Sequence, residues 1–428
     1  MDFFTLLKLK GFPVVEAGQK FKTFKEASKS ADWIERQKMN AFEFHYKRNT
    51  SYRRFVGKYP ASWKDIPVIN KDIIRQHDIS LTPDRNAYGK YYFRQTSGST
   101  GKPFNYALDY FSHALTWHLL SDRYNSVGVS FNDLQARFFG HPYSFKAKIT
   151  EKIKDGLGNR IRFNTIDLSE ENMERWLNTF SKNPFVYIYG YAYPLVAFAK
   201  YLKQKGMQLK SAAPLLKVCI LTSEMCSIEE QHIVEEAFGV DVYNEYGASE
   251  AGIVGFGRNN RWELSRELMF TEILDENNEP CAKGAVGKVV LSPLHNTGTP
   301  LLRYEIGDMA AIDEDENGPY LTRLQGRMEE MAILKSGKKL AGDTLFLYVF
   351  KEFARYSTEV TEYKVVQTGL DSFEINIVAS RDLSNEEVEL LKKLSVHSLG
   401  VEVKIDVVRK KELDRTLMGK FKRFERQF

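Results

Sequence analysis

The chain has 428 residues, 43% of them hydrophobic and 27% charged, which is too long for one hydrophobic core and predicts two or three folded domains rather than a disordered polymer. Its 61 basic and 56 acidic residues leave a formal net charge of +5, suited to phosphate-bearing ligands and too weak to argue for a nucleic-acid partner. Cys219, Cys226 and Cys281 cannot form a disulfide framework, no signal peptide follows residues 1–10, and no apolar run reaches the ~20 residues of an integral membrane segment, so the expected location is cytoplasmic.

In chain order, residues 24–52 read as helical, and Pro60 and Pro67 punctuate the stretch that follows. Residues 91–94 form a short aromatic strand that enters a glycine-rich segment at 96–103. The next run predicts a helix with Phe111, Leu115, His118 and Leu119 near one face, His118 being a packed boundary histidine rather than a ligand. From Pro184 the pattern is a strand, a turn at Gly190 and a helix starting near Pro194. "LLKVCILTSE" has the continuous apolarity of a buried parallel strand, and "SIEEQHIVEEAFG" reads as a helix capped by Ser227 with Glu230 three positions on. "VDVYNEYG" is the next strand. Strand, helix, strand is the rhythm of an α/β fold, whose ligands gather at the carboxyl ends of the strands.

Short strands and turns from Trp262 to Pro293 predict a small β-rich subdomain, and the chain changes domain after Gly326. The expected division is 1–328 and 329–428. In the second part Asp343 is expected to cap a helix, "YKVVQ", "SFEINIVAS" and "VEVKIDVV" read as strands, and Ser384 with Glu387 marks a helix start. That order suits a small C-terminal α+β domain.

The strongest chemical signal is Thr96-Ser97-Gly98-Ser99-Thr100-Gly101-Lys102-Pro103. Gly98 and Gly101 let successive amides converge on an anion, the three hydroxyls add donors, and Lys102 adds charge. This combination suits the β- and γ-phosphates of ATP, although only two residues separate the glycines, unlike the P-loop. A surface turn uses the same residues, and the segment alone does not choose. Asn244-Glu245-Tyr246-Gly247-Ala248-Ser249-Glu250 follows a strand; Tyr246 can stack on a flat base and Glu250 can offer oxygen to magnesium. In Arg303-Tyr304-Glu305-Ile306-Gly307-Asp308, Asp308 can accept from both ribose hydroxyls, and Arg327 can reach ribose or phosphate. Ordinary core tyrosines and solvated loops account for each of these taken singly.

Together, in this order and spacing, the segments resemble the core motifs of the adenylate-forming superfamily of acyl- and aryl-CoA synthetases, adenylation domains and luciferases. Within it the chain looks like the phenylacetate-CoA ligase and coenzyme F390 synthetase branch, and there like the CapK-type proteins associated with capsular polysaccharide biosynthesis. The similarity runs from about Phe24 to Lys420. It implies an α/β multidomain fold: a large N-terminal domain of parallel-sheet α/β subdomains with a β-rich subdomain, and a small mobile C-terminal α+β domain. It makes residues 96–103 the phosphate loop, Tyr246 the residue beside adenine, Gly247 part of the same nucleotide-binding motif, Ser249 the hydroxyl near the α-phosphate and Glu250 the magnesium ligand. Asp308 becomes the ribose aspartate, Arg327 the arginine before the hinge, Glu329 the hinge, and Lys420, within Arg415-Thr416-Leu417-Met418-Gly419-Lys420, the adenylating lysine. That last motif departs from the family pattern at Asp414 and Met418. Lys420, Lys102 and Arg327 are then the catalytic charges.

The resemblance implies ATP and Mg2+ as cofactors and a small carboxylic acid as substrate, activated as an acyl-adenylate with loss of pyrophosphate. His141 or Tyr143 is expected to border the acyl group, whereas the tyrosines at 187, 189, 191 and 193 are expected to pack, because the Gly190 turn breaks their alternation. "GIVGFGRNNRWELS" lacks the cysteines and histidine of a metal site found in some members of the branch, so no structural zinc is expected. The acceptor is a thiol or amine: CoA, in an aryl- or acyl-CoA ligase proper, or an amine on a sugar or amino acid. A nucleotide-binding scaffold without catalysis is the alternative from another class; retention of Lys102, Glu250, Asp308, Arg327 and Lys420 argues against it. A monomer or homodimer is expected.

Overall fold

The computed structural model describes residues 2–79, 90–95, 104–139, 145–165, 168–327, 331–414 and 422–428. They fall into two compact units, Met1–Ile306 with Ala310–Leu324, and Gly307–Met309 with Gln325–Phe428.

The first unit carries β1 (Tyr91–Gln95), β2 (Asn105–Asp109), β3 (Gln135–Phe138), β4 (Arg160–Phe163), β5 (Tyr187–Tyr191), β6 (Val218–Thr222), β7 (Asp241–Ala248), β8 (Gly252–Arg258), β9 (Arg261–Leu264), β10 (Met269–Leu274) and β11 (Gly287–Pro293). The long strands β12 (Tyr304–Asp315) and β13 (Gly318–Arg327) complete its main sheet. That sheet has eleven strands in the order β10-β11-β12-β13-β9-β8-β7-β6-β5-β3-β4. Strands β3 to β7 are parallel to their neighbours, and β7 turns antiparallel against β8. The segment from Trp262 to Pro293 is β-rich as its sequence predicts, yet it forms no sheet of its own and extends the parallel one with antiparallel strands.

Local chemistry explains the parallel half. All five residues of β6 are buried, as expected of a strand covered on both faces. The helix Ile228–Phe238 starts at a capping box between Ser227 and Glu230 and stops at Gly239, whose φ of 72° is open to glycine without strain. The predicted turn at Gly190 is instead strand: a Cβ there would lie 2.6 Å from the Phe138 carbonyl oxygen, so glycine permits the close approach of β3 to β5. Residues 24–52 are helical with breaks, the helix Ala31–Arg48 ending where the Asn49 side chain accepts from the Tyr52 amide and starts the next.

The second unit contains the short pair β14 (Met331–Ile333) and β15 (Lys339–Ala341), then β16 (Val360–Gly369), β17 (Ser372–Ala379), β18 (Lys404–Arg409) and β19 (Phe424–Arg426). Strands β16 and β17 pair antiparallel, flanked in parallel by β19 and β18. Helices Gly342–Phe353 and Asn385–Leu399 supply Phe346, Val349, Phe353 and Leu391 to its core. Asp343 falls inside the first helix rather than at its cap, since the helix begins one residue earlier. Ser384 and Glu387 form the capping box expected of them. Among the described residues no helix is long and apolar enough to cross a membrane.

Three histidines of the first unit are held neutral by burial, which pushes His45, His113 and His295 down to about 4. His45 donates from Nε2 to the Asn296 carbonyl at 2.9 Å and is 1% exposed. Unfolding returns each ring to an ordinary pKa near 6.5, so their stabilising contribution is complete above pH 6.5 and is lost as pH falls towards 4. Urea unfolding at stepped pH should show stability falling through this window, His45 alone contributing up to about 3 kcal/mol. His45→Gln should flatten that dependence, and an unchanged slope would remove His45 from it.

Candidate active site

Strand β7 is where the sheet changes from parallel to antiparallel pairing, and its last residues enter a tight turn closed by the Ala251 amide donating to the Ala248 carbonyl at 3.2 Å. A bulge between Tyr246 and Gly247 precedes the turn; a Cβ on Gly247 would lie 2.5 Å from the Gly252 carbonyl oxygen. Ser249 is exposed at the turn, whereas Glu250 beside it is 4% exposed.

A buried carboxylate needs partners, and Glu250 draws them from distant parts of the chain. Its Oε1 accepts from the Tyr304 hydroxyl at 2.8 Å and lies 3.0 Å from the Lys71 ammonium. Lys71 arrives there by a chain of backbone restraints. The buried Arg303 guanidinium donates to the carbonyls of Lys64 and Ile66 at 2.6 and 2.8 Å. Ile69 then pairs with the strand start, its amide donating to the Arg303 carbonyl at 3.0 Å and its carbonyl accepting from Glu305 at 2.7 Å. Asn70 caps the helix Lys71–Gln76 by accepting from the amides of Asp72 and Ile73. Lys71 is the first residue of that helix and so faces Glu250.

On the carboxyl side of β5, β6 and β7 lies a cavity of about 240 Å³ whose lining includes Arg94, His113, Tyr189, Thr222, Glu245 and His295. Leu115, Leu119, Ile253, Leu268 and Met269 make its apolar walls. Ser223, at the end of β6 in the same lining, has a φ of 67°, a left-handed conformation that a non-glycine residue adopts at a cost of about 1–3 kcal/mol. Glu245 accepts from the hydroxyls of Tyr189 at 2.8 Å, Tyr124 at 3.1 Å and Thr222 at 3.4 Å. Burial pushes its carboxyl upward, against the lowering effect of those hydroxyls and of the Arg137 charge. Burial and the Glu245 charge together raise the hydroxyls of Tyr124 and Tyr189.

Of the residues expected from sequence, Tyr246, Gly247, Ser249 and Glu250 meet in one strand and turn. Asp308 is buried on β12, and Arg327 ends β13. Thr96, Ser97, Gly98, Ser99, Thr100, Gly101, Lys102, His141, Tyr143, Glu329 and Lys420 lie outside the described residues. The described flanks on either side of the glycine segment are paired, Gln95 opposite Asn105. Sequence reasoning missed Tyr304 and Glu245, although both stood inside segments it singled out. It missed Lys71 because nothing local distinguishes a lysine after a helix cap. Tyr189, expected only to pack, lines the cavity because β5 runs unbroken through Gly190.

Magnesium is often held by one carboxylate oxygen completed by substrate phosphates, and Glu250 is the carboxylate of this turn, its Oε1 already meeting Tyr304 and Lys71.

No family model matches the chain. Protein CapK of Staphylococcus aureus is 24% identical over 380 residues, covering 84% of this chain and 81% of that protein. Among solved structures, 2-hydroxyisobutyryl-CoA ligase in its postadenylation state superposes with a TM-score of 0.69 at 17% identity, covering 93% of this chain and 89% of that one. ATP-bound MatB from Rhodopseudomonas palustris gives 0.54 at 15% identity over 76% of this chain and 65% of that one. The likeness is one of fold: a large α/β part with a mixed sheet and a smaller α+β part, the architecture of adenylate-forming ligases.

The Lys71–Glu250 pair makes a prediction independent of activity. Lys71→Met leaves the carboxylate with one hydroxyl donor and should destabilise the protein by about 1–3 kcal/mol in urea unfolding. Glu250→Gln in the same chain should recover part of that loss, because the two sites couple. Additive effects in the double-variant cycle would mean the pair contributes nothing.

Proposed function

We propose that this chain is an ATP- and Mg2+-dependent ligase of the adenylate-forming superfamily that activates a carboxylic acid as its acyl-adenylate and passes the acyl group to coenzyme A. The observation that carries the reading is the buried Glu250 turn at the parallel-to-antiparallel switch, beside an acid-sized cavity, in a chain with this fold. Ligands of open α/β sheets gather at such a switch.

In the first step a substrate carboxylate oxygen attacks the α-phosphorus of ATP, the bond to the β-phosphate bridging oxygen breaks, and pyrophosphate leaves. Side chains do no covalent work here; they position the reactants and neutralise charge. Tyr246 stacks on adenine, Gly247 permits the bulge that aims this nucleotide-binding turn, Ser249 donates to the α-phosphate and Asp308 accepts from the ribose hydroxyls. Residues 96–103, with Lys102, hold the outer phosphates, while Arg327 and Lys420 balance developing charge. Glu250 is the residue that would hold magnesium, which when bound neutralises phosphate charge. Lys71 adds a second cation beside that carboxylate. In the second step the thiol sulfur attacks the acyl carbon, the bond to AMP breaks, and the thiol proton passes to solvent.

The CoA acceptor is favoured by the named activity of 2-hydroxyisobutyryl-CoA ligase. The similarity to CapK supports a second reading, in which an amine of a surface-polysaccharide precursor receives the acyl group.

Pyrophosphate release with a panel of acids, followed by mass spectrometry of the product with CoA or amine acceptors, tests both. Lys420→Ala should lower acid-dependent pyrophosphate release by about 10²–10³-fold while retaining ATP binding. Lys102→Ala serves as the phosphate-loop comparison, and Asp308→Ala should weaken ATP binding in calorimetry with circular dichroism unchanged. ATP binding without pyrophosphate release for any acid would favour the scaffold alternative, and normal first-step rates in Lys420→Ala would remove that lysine from the mechanism.

A further inference from the structure

Glu245 has a surrounding that its role in the sheet does not explain. It is 7% exposed and lines the cavity, yet its described partners are hydroxyls alone: those of Tyr189, Tyr124 and Thr222. No cation among the described residues lies within ion-pair distance of it. Arg137, the guanidinium that acts on it through space, packs over the rings of Phe139 and Tyr189 and donates to Gln135. Buried carboxylates are normally paired, since hydroxyls alone replace only part of the lost hydration. An ionised carboxylate offers about four acceptor sites, and three hydroxyls leave room for another donor.

The rest of the lining narrows what that donor is. His113 and His295 are held neutral, both near 4, so neither supplies the missing positive charge at neutral pH. Arg94 is the cation among the described lining residues, its guanidinium donating to the Tyr92 hydroxyl at 2.9 Å. Among the described residues the lining thus carries a positive and a negative group on otherwise apolar or neutral walls, a pattern that matches a molecule bearing both charges. A purely structural hub tying β5, β6 and β7 together would need hydrogen-bond acceptors but no net charge, and would have no reason to open onto a cavity.

We propose that Glu245 is the counter-charge for an ammonium group on the substrate acid, so that the cavity takes an amino acid or another amine-bearing carboxylic acid. This assignment of substrate class rests on the ligase reading, whereas the ammonium subsite can be tested by binding alone. The new contact is a charge-assisted hydrogen bond from the ligand ammonium to the Glu245 carboxylate, formed where water is largely excluded.

The test uses the full chain and three sets of matched acids: phenylalanine, phenyllactate and 3-phenylpropionate; 6-aminohexanoate, 6-hydroxyhexanoate and hexanoate; alanine, lactate and propionate. In calorimetry without nucleotide, the amine-bearing member of at least one set should bind about ten- to hundredfold more tightly than its partners. Glu245→Gln, which keeps the size and the hydroxyl partners, should erase that preference, and Glu245→Asp should retain part of it. Tyr124→Phe removes one hydroxyl from the carboxylate but leaves its charge, so the preference should survive. Equal or weaker binding of every amine-bearing acid, or a preference intact in Glu245→Gln, overturns the proposal. Pyrophosphate release with the same acids separates it from the ligase reading. Amine-selective binding with no release for any acid keeps the subsite and rejects acid activation; release with only the unsubstituted acids does the reverse.

Discussion

The site depends on one buried cation, Arg303. Its guanidinium reaches the carbonyls of Lys64 and Ile66 and the Asn278 carbonyl, with Glu272 3.6 Å from Nε. Its own backbone sits at a φ of 48°, a left-handed conformation that costs about 1–3 kcal/mol in a residue with a side chain. Hydrogen bonds from a charged donor, each contributing about 1.5–3 kcal/mol, offset that strain. Their effect is geometric as much as energetic. They fasten the segment that ends in Asn70 against the start of β12, and so bring Lys71 and Tyr304 to the same carboxylate oxygen of Glu250.

Strand β7 divides its chemistry between two faces. Successive side chains of a strand point to opposite sides, so Glu245 turns to the cavity while Tyr246 packs towards the core built around Phe104, Tyr106 and Tyr304. The bulge at Gly247 then re-aims the chain, which is why exposed Ser249 and buried Glu250 can follow within one turn. A carboxylate that lines the cavity and a ring packed on the opposite face therefore stand on adjacent residues without competing for space.

How much of this was legible in the sequence follows from which forces were local. The capping boxes at Ser227 and Ser384, the fully buried and mostly apolar β6 and the helix from Tyr110 depend on residues a few positions apart, and their patterns predict them. His118 is the packed boundary histidine its pattern predicts, its Nε2 donating to the Val14 carbonyl at 2.8 Å. Gly190 misled because a glycine that opens a turn and a glycine that lets two strands approach look alike in sequence; only Phe138 on the neighbouring strand distinguishes them. The antiparallel extension beyond β9 looks like a separate subdomain in sequence for a similar reason, since strand patterns do not say which sheet a strand joins. Lys71 was invisible because its position is set by Arg303, far along the chain.

That long-range assembly bears on how the protein folds. The β7–β8 hairpin closes from residues next to one another, so the turn holding Glu250 can form early and at little loop-closure entropy. Its partners must wait: Tyr304 is 54 positions away, and Lys71 joins only after the amino-terminal helices have docked beside β12. During synthesis the hairpin therefore emerges before one of its ligands has been made, with a carboxylate that stays hydrated until β12 arrives. Burial of Glu250 is in this sense a late event, completed only when strands and helices from distant parts of the large unit have closed around it.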